Sequence, residues 1–390
     1  MRYCPIERAI DWLKSLLCEP YIIYAMKKIL YLFISIFIIS EGFSQRKIDL
    51  YGNLNNTKTT PLSMVAKNIK YIPLETKNEC LMSAELQIYY EGSFIFVGDQ
   101  KTQSFYRFDS EGKFLNKIGN KGNAPSEYPD ALFFQIDNTE RKIYVVSSQS
   151  RCLYKYEYNG TFIEKIPMEA TSWTIDFFNN NIVYYNFQYN RIKRKKDVFE
   201  LFQIDKNGKV LNKIPTTVKD EKDDVLLFDL PFFYSYNNQL FYKNAVQPYV
   251  YRIDNVFKIN PVYEIVTGGL KNKHEPEDYK NLKKYADKIG VRNIFENQHY
   301  LLITYVYKDK FRYLLGNKAN WTFNNVVDNT NESGFIDDLK NGPRFMPVNH
   351  IGSKLNCLIS IVSAEDMSEY NIIKNLNTDD NPIIAVAFIK

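Results

Sequence analysis

The sequence offers little support for a disulfide framework or a zinc site. Its 390 residues include five cysteines, and no two of them form a Cys-x-x-Cys pair. Cys80, Cys152 and Cys357 are the three that follow Met26; they are odd in number and widely spaced, which does not fit a disulfide framework or structural zinc. We predict that each is a small buried hydrophobic residue.

Histidine is also scarce. His274, His299 and His350 are far apart, and none has a metal-ligand partner four residues away. The chain contains no HExxH, GxSxG or phosphate-loop pattern. Without such motifs the sequence gives no basis for a metal, a cofactor or a catalytic residue, and we predict none. We expect each histidine to be structural.

The charge balance does not favour nucleic-acid binding. Fifty basic and 45 acidic residues give a net charge of +5, without the concentrated basic face that such proteins need. The one basic run, RIKRKK at residues 191–196, lies between two strand-like segments. Such a run is typical of a solvated hairpin tip, and an electrostatic docking patch is the alternative.

An apolar run, ILYLFISIFIIS at residues 29–40, follows two lysines and precedes Gly-Phe-Ser. A basic start, a short apolar stretch and small residues at the cleavage positions are the pattern of a secretory signal peptide. A membrane anchor is the alternative, but a spanning helix needs about 20 apolar residues. We expect an exported protein, located in the periplasm, at the cell surface or outside the cell.

Met26 begins this leader, so we expect residues 1–25 to be an upstream extension and residues 26–44 to be the signal peptide. The mature chain would then begin near Gln45 and carry no transmembrane span. We predict that residues 45–70 are a linker and that residues 71–390 form the folded domain.

The composition favours an all-β fold. The chain contains 30 Tyr and 27 Phe, and long stretches rich in Ala, Glu and Leu are nearly absent. Aromatic and β-branched side chains suit a pleated, half-buried surface.

A repeat of 48 residues supports this fold class. Gly112, Gly160 and Gly208 are separated by 48 residues each, and each follows one strand-like segment and precedes another. Glycine supplies the positive φ that a tight hairpin turn requires. A fourth copy starts at residues 250–254 and then loses its glycine.

Further strand-like segments precede each hairpin, which gives about four strands per unit, the size of a β-propeller blade. The mature length divided by the period allows about seven units. Residues 275–298 look helical, and setting aside this insertion and the linker leaves six blades. We expect the start of the mature chain or the last strand, residues 382–389, to complete a shared blade and close the ring.

Several motifs resemble an exported six-bladed β-propeller family of Bacteroides-type bacteria, which is related to NHL-type propellers. The motifs are IPLE at residues 72–75, the glycine-rich loop at 118–128, YVYRI at 249–253 and FIDD at 335–338. The resemblance covers residue 72 to the C-terminus and implies an all-β fold of six four-stranded antiparallel blades. The family has no settled function, so the resemblance implies no activity.

The loop of residues 119–128 is the candidate ligand-binding surface. It connects the outermost strand of one unit to the innermost strand of the next, and such connections reach the channel in propellers. Lys121, Asn123 and Tyr128 are the predicted contact residues. The alternative is that the glycines only allow a tight turn between blades and that Tyr128 packs between them.

A second cluster, Asp337, Asp338 and Asn341, offers oxygen ligands of the kind that Ca²⁺ prefers. A turn capped by acidic residues is the alternative, and we favour it because Asp and Asn stabilise turns through local hydrogen bonds. We predict no metal site here.

These observations favour a monomeric, non-catalytic binding or interaction scaffold for a glycan, peptide or protein. The alternative is a propeller-fold enzyme, of lyase, hydrolase or cyclotransferase type, with a site at the channel mouth. A third hypothesis is a structural partner in an outer-surface complex. Convergence of acidic, His or Arg side chains from three or more blades at one channel mouth would favour the enzyme.

Overall fold

Seven stretches of the chain are described by a computed structural model: residues 45–131, 133–186, 199–216, 231–244, 247–270, 287–348 and 355–390. Outside them lie the predicted extension 1–25, the signal peptide 26–44, the basic run 191–196 and residues 275–286 of the predicted helical segment. In the described part of the chain, no helix is long and apolar enough to cross a membrane.

The described residues form a succession of short strands with almost no helix. One short α-helix, α1, spans Ala364–Ser368, and two 3-10 turns span Leu62–Met64 and Asn78–Cys80. The strands are β1 (Arg46–Asp49), β2 (Thr57–Thr59), β3 (Ala66–Pro73), β4 (Leu86–Tyr90), β5 (Phe94–Asp99), β6 (Ser104–Asp109), β7 (Phe114–Lys117), β8 (Phe133–Asp137), β9 (Lys142–Ser147), β10 (Cys152–Glu157), β11 (Phe162–Pro167), β12 (Ile175–Phe178), β13 (Asn181–Tyr185), β14 (Phe199–Ile204), β15 (Val210–Pro215), β16 (Phe232–Tyr236), β17 (Gln239–Lys243), β18 (Tyr249–Ile253), β19 (Ile259–Val266), β20 (Gly290–Glu296), β21 (Tyr300–Tyr307), β22 (Lys310–Asn317), β23 (Thr322–Val327), β24 (Cys357–Val362) and β25 (Ile383–Ile389).

These strands make a six-bladed β-propeller, as the sequence predicts. In blades one to three, four consecutive antiparallel strands form each sheet: β4 to β7, β8 to β11, and β12 to β15. We call the four positions A to D, from the channel outward. The B strands β5 and β9 are buried after their first residue because both of their faces lie between blades, whereas the D strand β7 alternates between half-buried and exposed residues.

Blades four and five each carry a fifth strand from the N-terminal segment. Strand β1 lies outside β19 in the sheet β16 to β19, and β2 pairs in parallel with β23 at the edge of the sheet β20 to β23. Residues 45–70 are therefore not the linker that the sequence predicts. Covering an outer edge in this way satisfies backbone groups that would otherwise be open to strand addition.

Blade six closes the ring with both ends of the chain, which confirms the expected shared blade. Its sheet has the order β24, β25, β3, so β3, from the first third of the chain, pairs antiparallel with the last strand, β25. The amide of Val348 donates to the carbonyl oxygen of Ile359 at 2.8 Å, which places the preceding segment along the inner edge of β24.

The predicted turns also form. Gly112, Gly160 and Gly208 have φ of +86°, +86° and +88°, and each donates its N–H to the residue three positions earlier. In blade four the same position is held by Phe257, with φ +56° and its ring buried. The hairpin therefore persists where the glycine is lost.

The helical prediction for residues 275–298 is wrong where the structure describes it, because Gly290–Glu296 is the A strand of blade five. The register shifts between Val291 and Asn293, which breaks the alternation of the strand. The apolar positions that suggest a helix are Leu282, Tyr285 and Ile289. The first two lie outside the described residues, and Ile289 is buried directly before the strand.

Candidate functional site

The loop of residues 119–128 lies at the end of the blades where D strands connect to the next A strand, which we call the connection face. Lys121 and Asn123 are exposed there. Tyr128 is fully buried: its ring packs on Phe105 at 5.6 Å, and its hydroxyl donates to the carbonyl oxygen of Gln103 at 3.1 Å. Tyr128 therefore supports the loop from below, while Lys121 and Asn123 face the solvent.

Close packing explains the glycine at the start of this loop. Gly119 has φ +58°, and a Cβ on it would lie 2.6 Å from the ring of Tyr156. The hydroxyl of Tyr156 in turn donates to the carbonyl oxygen of Ser126 at 2.9 Å. Glu127 accepts from the N–H of Ala124 at 3.0 Å, which closes the loop on itself.

A cavity of about 1080 Å³ opens at the other end of the channel. Its wall consists of A strands and of the turns that join A to B, so we call this end the turn face. Blades two to six all contribute described residues, among them Thr139, Asn180, Asn238, Gln298 and Asn356. The loop of residues 119–128 contributes none.

Two of these turns are tight two-residue hairpin loops. Asn179 and Asn180 have φ of +51° and +62°, and Asn237 and Asn238 have φ of +50° and +57°. Asparagine tolerates the left-handed region better than other non-glycine residues, and two such residues in succession make the turn that matches strand twist. The turns hold these four side chains exposed at the rim of the cavity.

Aromatic rings line the cavity below the rim. Phe177, Phe233 and Phe295 belong to the A strands of three consecutive blades, and each is half-buried. Ser235, on the A strand of blade four, is exposed in the same wall. The wall therefore combines amide groups at the rim with apolar rings inside.

One of the two acids in the wall, Asp137, is already paired. The ammonium of Lys206 contacts its Oδ2, and the N–H of Thr139 donates to its Oδ1 at 2.9 Å. The Nζ atom of Lys206 also lies 3.7 Å from Oε1 of Glu140 and 4.5 Å from the centre of the Phe177 ring. Asp137 thus helps to hold the turn of blade two and is not free to act on a ligand.

The other acid, Glu296, is buried between blades four and five. Its carboxylate accepts from Lys318 Nζ at 2.7 Å, from the Tyr263 hydroxyl at 2.7 Å and from the Tyr234 hydroxyl at 3.0 Å. Burial, with the charge of Glu296 beside it, raises the pKa of Tyr234 well above its ordinary value. Lys318 also donates to the carbonyl oxygen of Asn297 at 2.9 Å, so this pair supports the turn of blade five.

The aspartate pair at residues 337–338 caps turns, as favoured from the sequence. Asp337 accepts from the Tyr71 hydroxyl at 2.7 Å and from the N–H of Gly342 at 2.9 Å, while Asp338 accepts from the N–H of Ser63 at 2.8 Å. Across the described stretches, no group of three His, Cys, Asp or Glu residues is placed to hold a metal ion.

The thiols and the one described histidine occupy unrelated places. Cys80 and Cys357 are buried and Cys152 is half-buried, which agrees with a packing role. His299 is exposed in the turn of blade five, next to the cavity residue Gln298. His274 and His350 lie outside the described residues.

The sequence suggested a site at a channel mouth only as part of the alternative enzyme hypothesis, and it did not predict the turn face or the residues of this cavity. Its local signals are the two Asn-Asn pairs, at residues 179–180 and 237–238, each between aromatic strand segments. Such pairs indicate two-residue hairpins, but not that the turns meet around one cavity.

The comparisons identify the family. Residues 45–388 match the family described as "Domain of unknown function (DUF4934)". The chain belongs to the DUF4934 family. Among curated proteins, none matches this DUF4934 chain.

Solved structures show the same fold. A Bacteroides fragilis protein described as exported has a TM-score of 0.65 with 17% identity, over 89% of this chain and 99% of its own. A member of the DUF4221 family from Bacteroides vulgatus has a TM-score of 0.50 with 13% identity, over 84% of this chain and 97% of its own. At these identities the likeness of the DUF4934 protein to them is one of fold.

Proposed function

We propose that this DUF4934 protein is an exported, monomeric, non-catalytic binding module whose ligand, a glycan or a peptide, occupies the channel mouth on the turn face. The observation that carries the proposal is the cavity of about 1080 Å³, large enough for a sizeable ligand and lined by amides and half-buried rings. The leader pattern and the likeness to a protein described as exported support export.

The state of the charged groups supports binding over catalysis. General acid–base or nucleophilic chemistry needs titratable groups that converge on the reacting atoms. In the described wall, Asp137 and Glu296 come from only two blades, and each is engaged by a lysine. Lys390, the third charged residue of the wall, is exposed at the C-terminus.

The connection face offers a second surface with the predicted contacts Lys121 and Asn123. Its loop bonds several of its backbone N–H groups internally, those of Gly122, Ala124, Glu127 and Tyr128, and these groups are not free for a ligand. We therefore use it as the comparison surface in the test.

The test screens the protein on arrays of oligosaccharides and peptides, and then compares variants on each ligand found. Ser235→Trp places a large side chain in the cavity from an exposed position, so the fold should be retained. We expect this variant to abolish binding, whereas Lys121→Ala with Asn123→Ala should bind as the wild type does. Binding lost only in the second variant would reject the channel mouth as the site.

A further inference from the structure

The rim of the cavity presents side-chain amides that have no hydrogen-bond partner among the described residues. Asn179, Asn180, Asn237 and Asn238 are exposed, and none of their side-chain amides hydrogen-bonds to another described residue. Each amide group offers two N–H donors and a carbonyl acceptor at one tip. This mixture matches sugar hydroxyl groups, which also donate and accept at one atom.

The rings below the rim provide the apolar part of the wall. Phe177, Phe233 and Phe295 come from blades three, four and five, and each is a half-buried residue that lines the cavity. A flat aromatic ring packs well against the apolar C–H face of a pyranose. Rings inside and amides at the rim therefore suit a ligand with apolar faces and hydroxylated edges.

The ion pairs argue against a charged ligand. Lys206 is committed to Asp137 and Lys318 to Glu296, so neither lysine can neutralise a ligand carboxylate or sulfate without leaving an acid unpaired. Lys390, the remaining charged residue of the wall, is exposed to solvent, where an ion pair with a ligand contributes little. Bringing a charge into such a wall without a counter-charge carries a large desolvation cost. Peptides add charged side chains and termini, so an uncharged ligand fits better.

We infer that the ligand of the channel mouth is an uncharged oligosaccharide, held by the turn amides of blades three and four and by the aromatic rings below them. This inference rests on the proposed function and names the class of ligand for that site. The rim faces solvent, so the chain of sugars enters from the turn face.

A competing explanation for the presence of asparagine at these positions is that it tolerates positive φ, independently of any ligand. Glycine adopts positive φ without strain, so an Asn→Gly change removes the amide and preserves the turn. Asn180→Gly combined with Asn238→Gly therefore separates the two roles. Asn331→Gly is the matched control, because Asn331 has φ +64° and is exposed in the connection after β23, on the connection face.

The experiment is isothermal titration calorimetry of the protein with cellohexaose, xylohexaose, mannohexaose, maltohexaose, hexagalacturonate and a pool of hexapeptides. We expect at least one uncharged hexasaccharide to bind. The double variant should weaken that binding about tenfold or more, the loss expected for two hydrogen bonds. Asn331→Gly should bind as the wild type does.

Two results overturn this inference and leave the proposed function intact: binding of only hexagalacturonate or peptides, blocked by Ser235→Trp, or full binding by the double variant. If none of the probes binds, or if Ser235→Trp does not block binding, the proposed function fails as well. A thermal melt of each variant confirms that the fold is present in every titration.

Discussion

Gly160 lies directly against the carbonyl oxygen of Lys117, at the end of the outermost strand of the preceding blade. A Cβ atom on Gly160 would lie 2.4 Å from that oxygen. Gly112 repeats the relationship with the carbonyl oxygen of Pro73, at 2.0 Å, and Gly208 does so with the end of β11. The glycines of the 48-residue repeat therefore allow both the hairpin turn and the contact between blades.

Substitution of these glycines should lower the free energy of unfolding by more than the strain of a left-handed turn residue alone. Gly269→Ala provides the comparison, because Gly269 has φ +80° and no atom within 4 Å of an added Cβ. We expect Gly269→Ala to lower the free energy of unfolding by about 1 kcal/mol, from the left-handed conformation alone. Gly160→Ala should lower it by about 3 kcal/mol, because the backbone of the preceding blade must also shift.

Urea denaturation of the two variants measures this difference. Equal losses would show that the turn conformation accounts for the whole requirement and that the contact between blades relaxes without cost.

At position 257 we expect the glycine variant to be more stable than the alanine variant, which is the reverse of the usual order. Phe257 holds the glycine position of blade four with φ +56°, while its buried ring packs in the core between blades three and four. Phe257→Ala loses the buried ring and keeps the strain, at a cost of about 3–5 kcal/mol. Phe257→Gly loses the same ring but relieves the strain, so we expect it to be about 1 kcal/mol more stable than Phe257→Ala.

Chemical denaturation of the two variants and the wild type tests the prediction. If the glycine variant is the less stable one, as in ordinary strand positions, then the left-handed conformation of Phe257 stores no strain.

The parts of the fold that were predictable are those in which local chemistry repeats. Three glycines at one spacing revealed three hairpins, and alternating aromatic segments revealed the strands beside them. The fourth copy was recognised only by its first strand, at residues 250–254, because Phe257 replaces the glycine of its turn. The N-terminal strands β1 and β2 were missed because they are short and mostly exposed, so they carry no pattern.

The candidate site was less predictable, for a geometric reason. Its residues come from turns that are up to about two hundred residues apart in the chain, and only closure of the ring brings them together. The loop of residues 119–128 was conspicuous because it is glycine-rich, yet its first glycine, Gly119, is explained by its positive φ and by close packing against Tyr156. In the sequence, a turn rich in asparagine indicates a binding site less clearly than a loop rich in glycine does.

Asp99 should contribute to the acid sensitivity of the fold. Burial alone raises the pKa of this carboxyl, but hydrogen bonds from the N–H and hydroxyl of Ser83 and from the N–H of Thr102 outweigh burial and hold the pKa below its ordinary value of 3.8. A lowered folded pKa means that the stabilisation is complete above about pH 4–5 and is lost as the pH falls through the folded value.

Asp99→Asn tests this linkage. We expect the variant to be about 1–2 kcal/mol less stable at pH 7, because an amide nitrogen then faces donors that need an acceptor. We also expect its stability to fall less steeply than that of the wild type between pH 4 and pH 2. Parallel pH profiles of unfolding for the two proteins would show that Asp99 is not a source of the acid sensitivity.

Glu296 and Lys318 should behave as a coupled pair beneath the channel mouth. Their side chains are 1% and 15% exposed, so removing one charge leaves the other buried without a counter-charge. We expect Glu296→Gln to lower the free energy of unfolding by about 3 kcal/mol, since the amide still accepts from the tyrosine hydroxyls but no longer neutralises Lys318.

The double variant Glu296→Gln with Lys318→Met removes both charges and should recover part of that loss. It also removes the donor to the carbonyl oxygen of Asn297, so the turn of blade five loses a contact that the single Glu296→Gln variant can keep. Stability should therefore improve from the single to the double variant, while binding at the channel mouth should weaken further. Additive effects on stability would mean that the two side chains act independently, and unchanged binding in the double variant would show that the turn holds its position without Lys318.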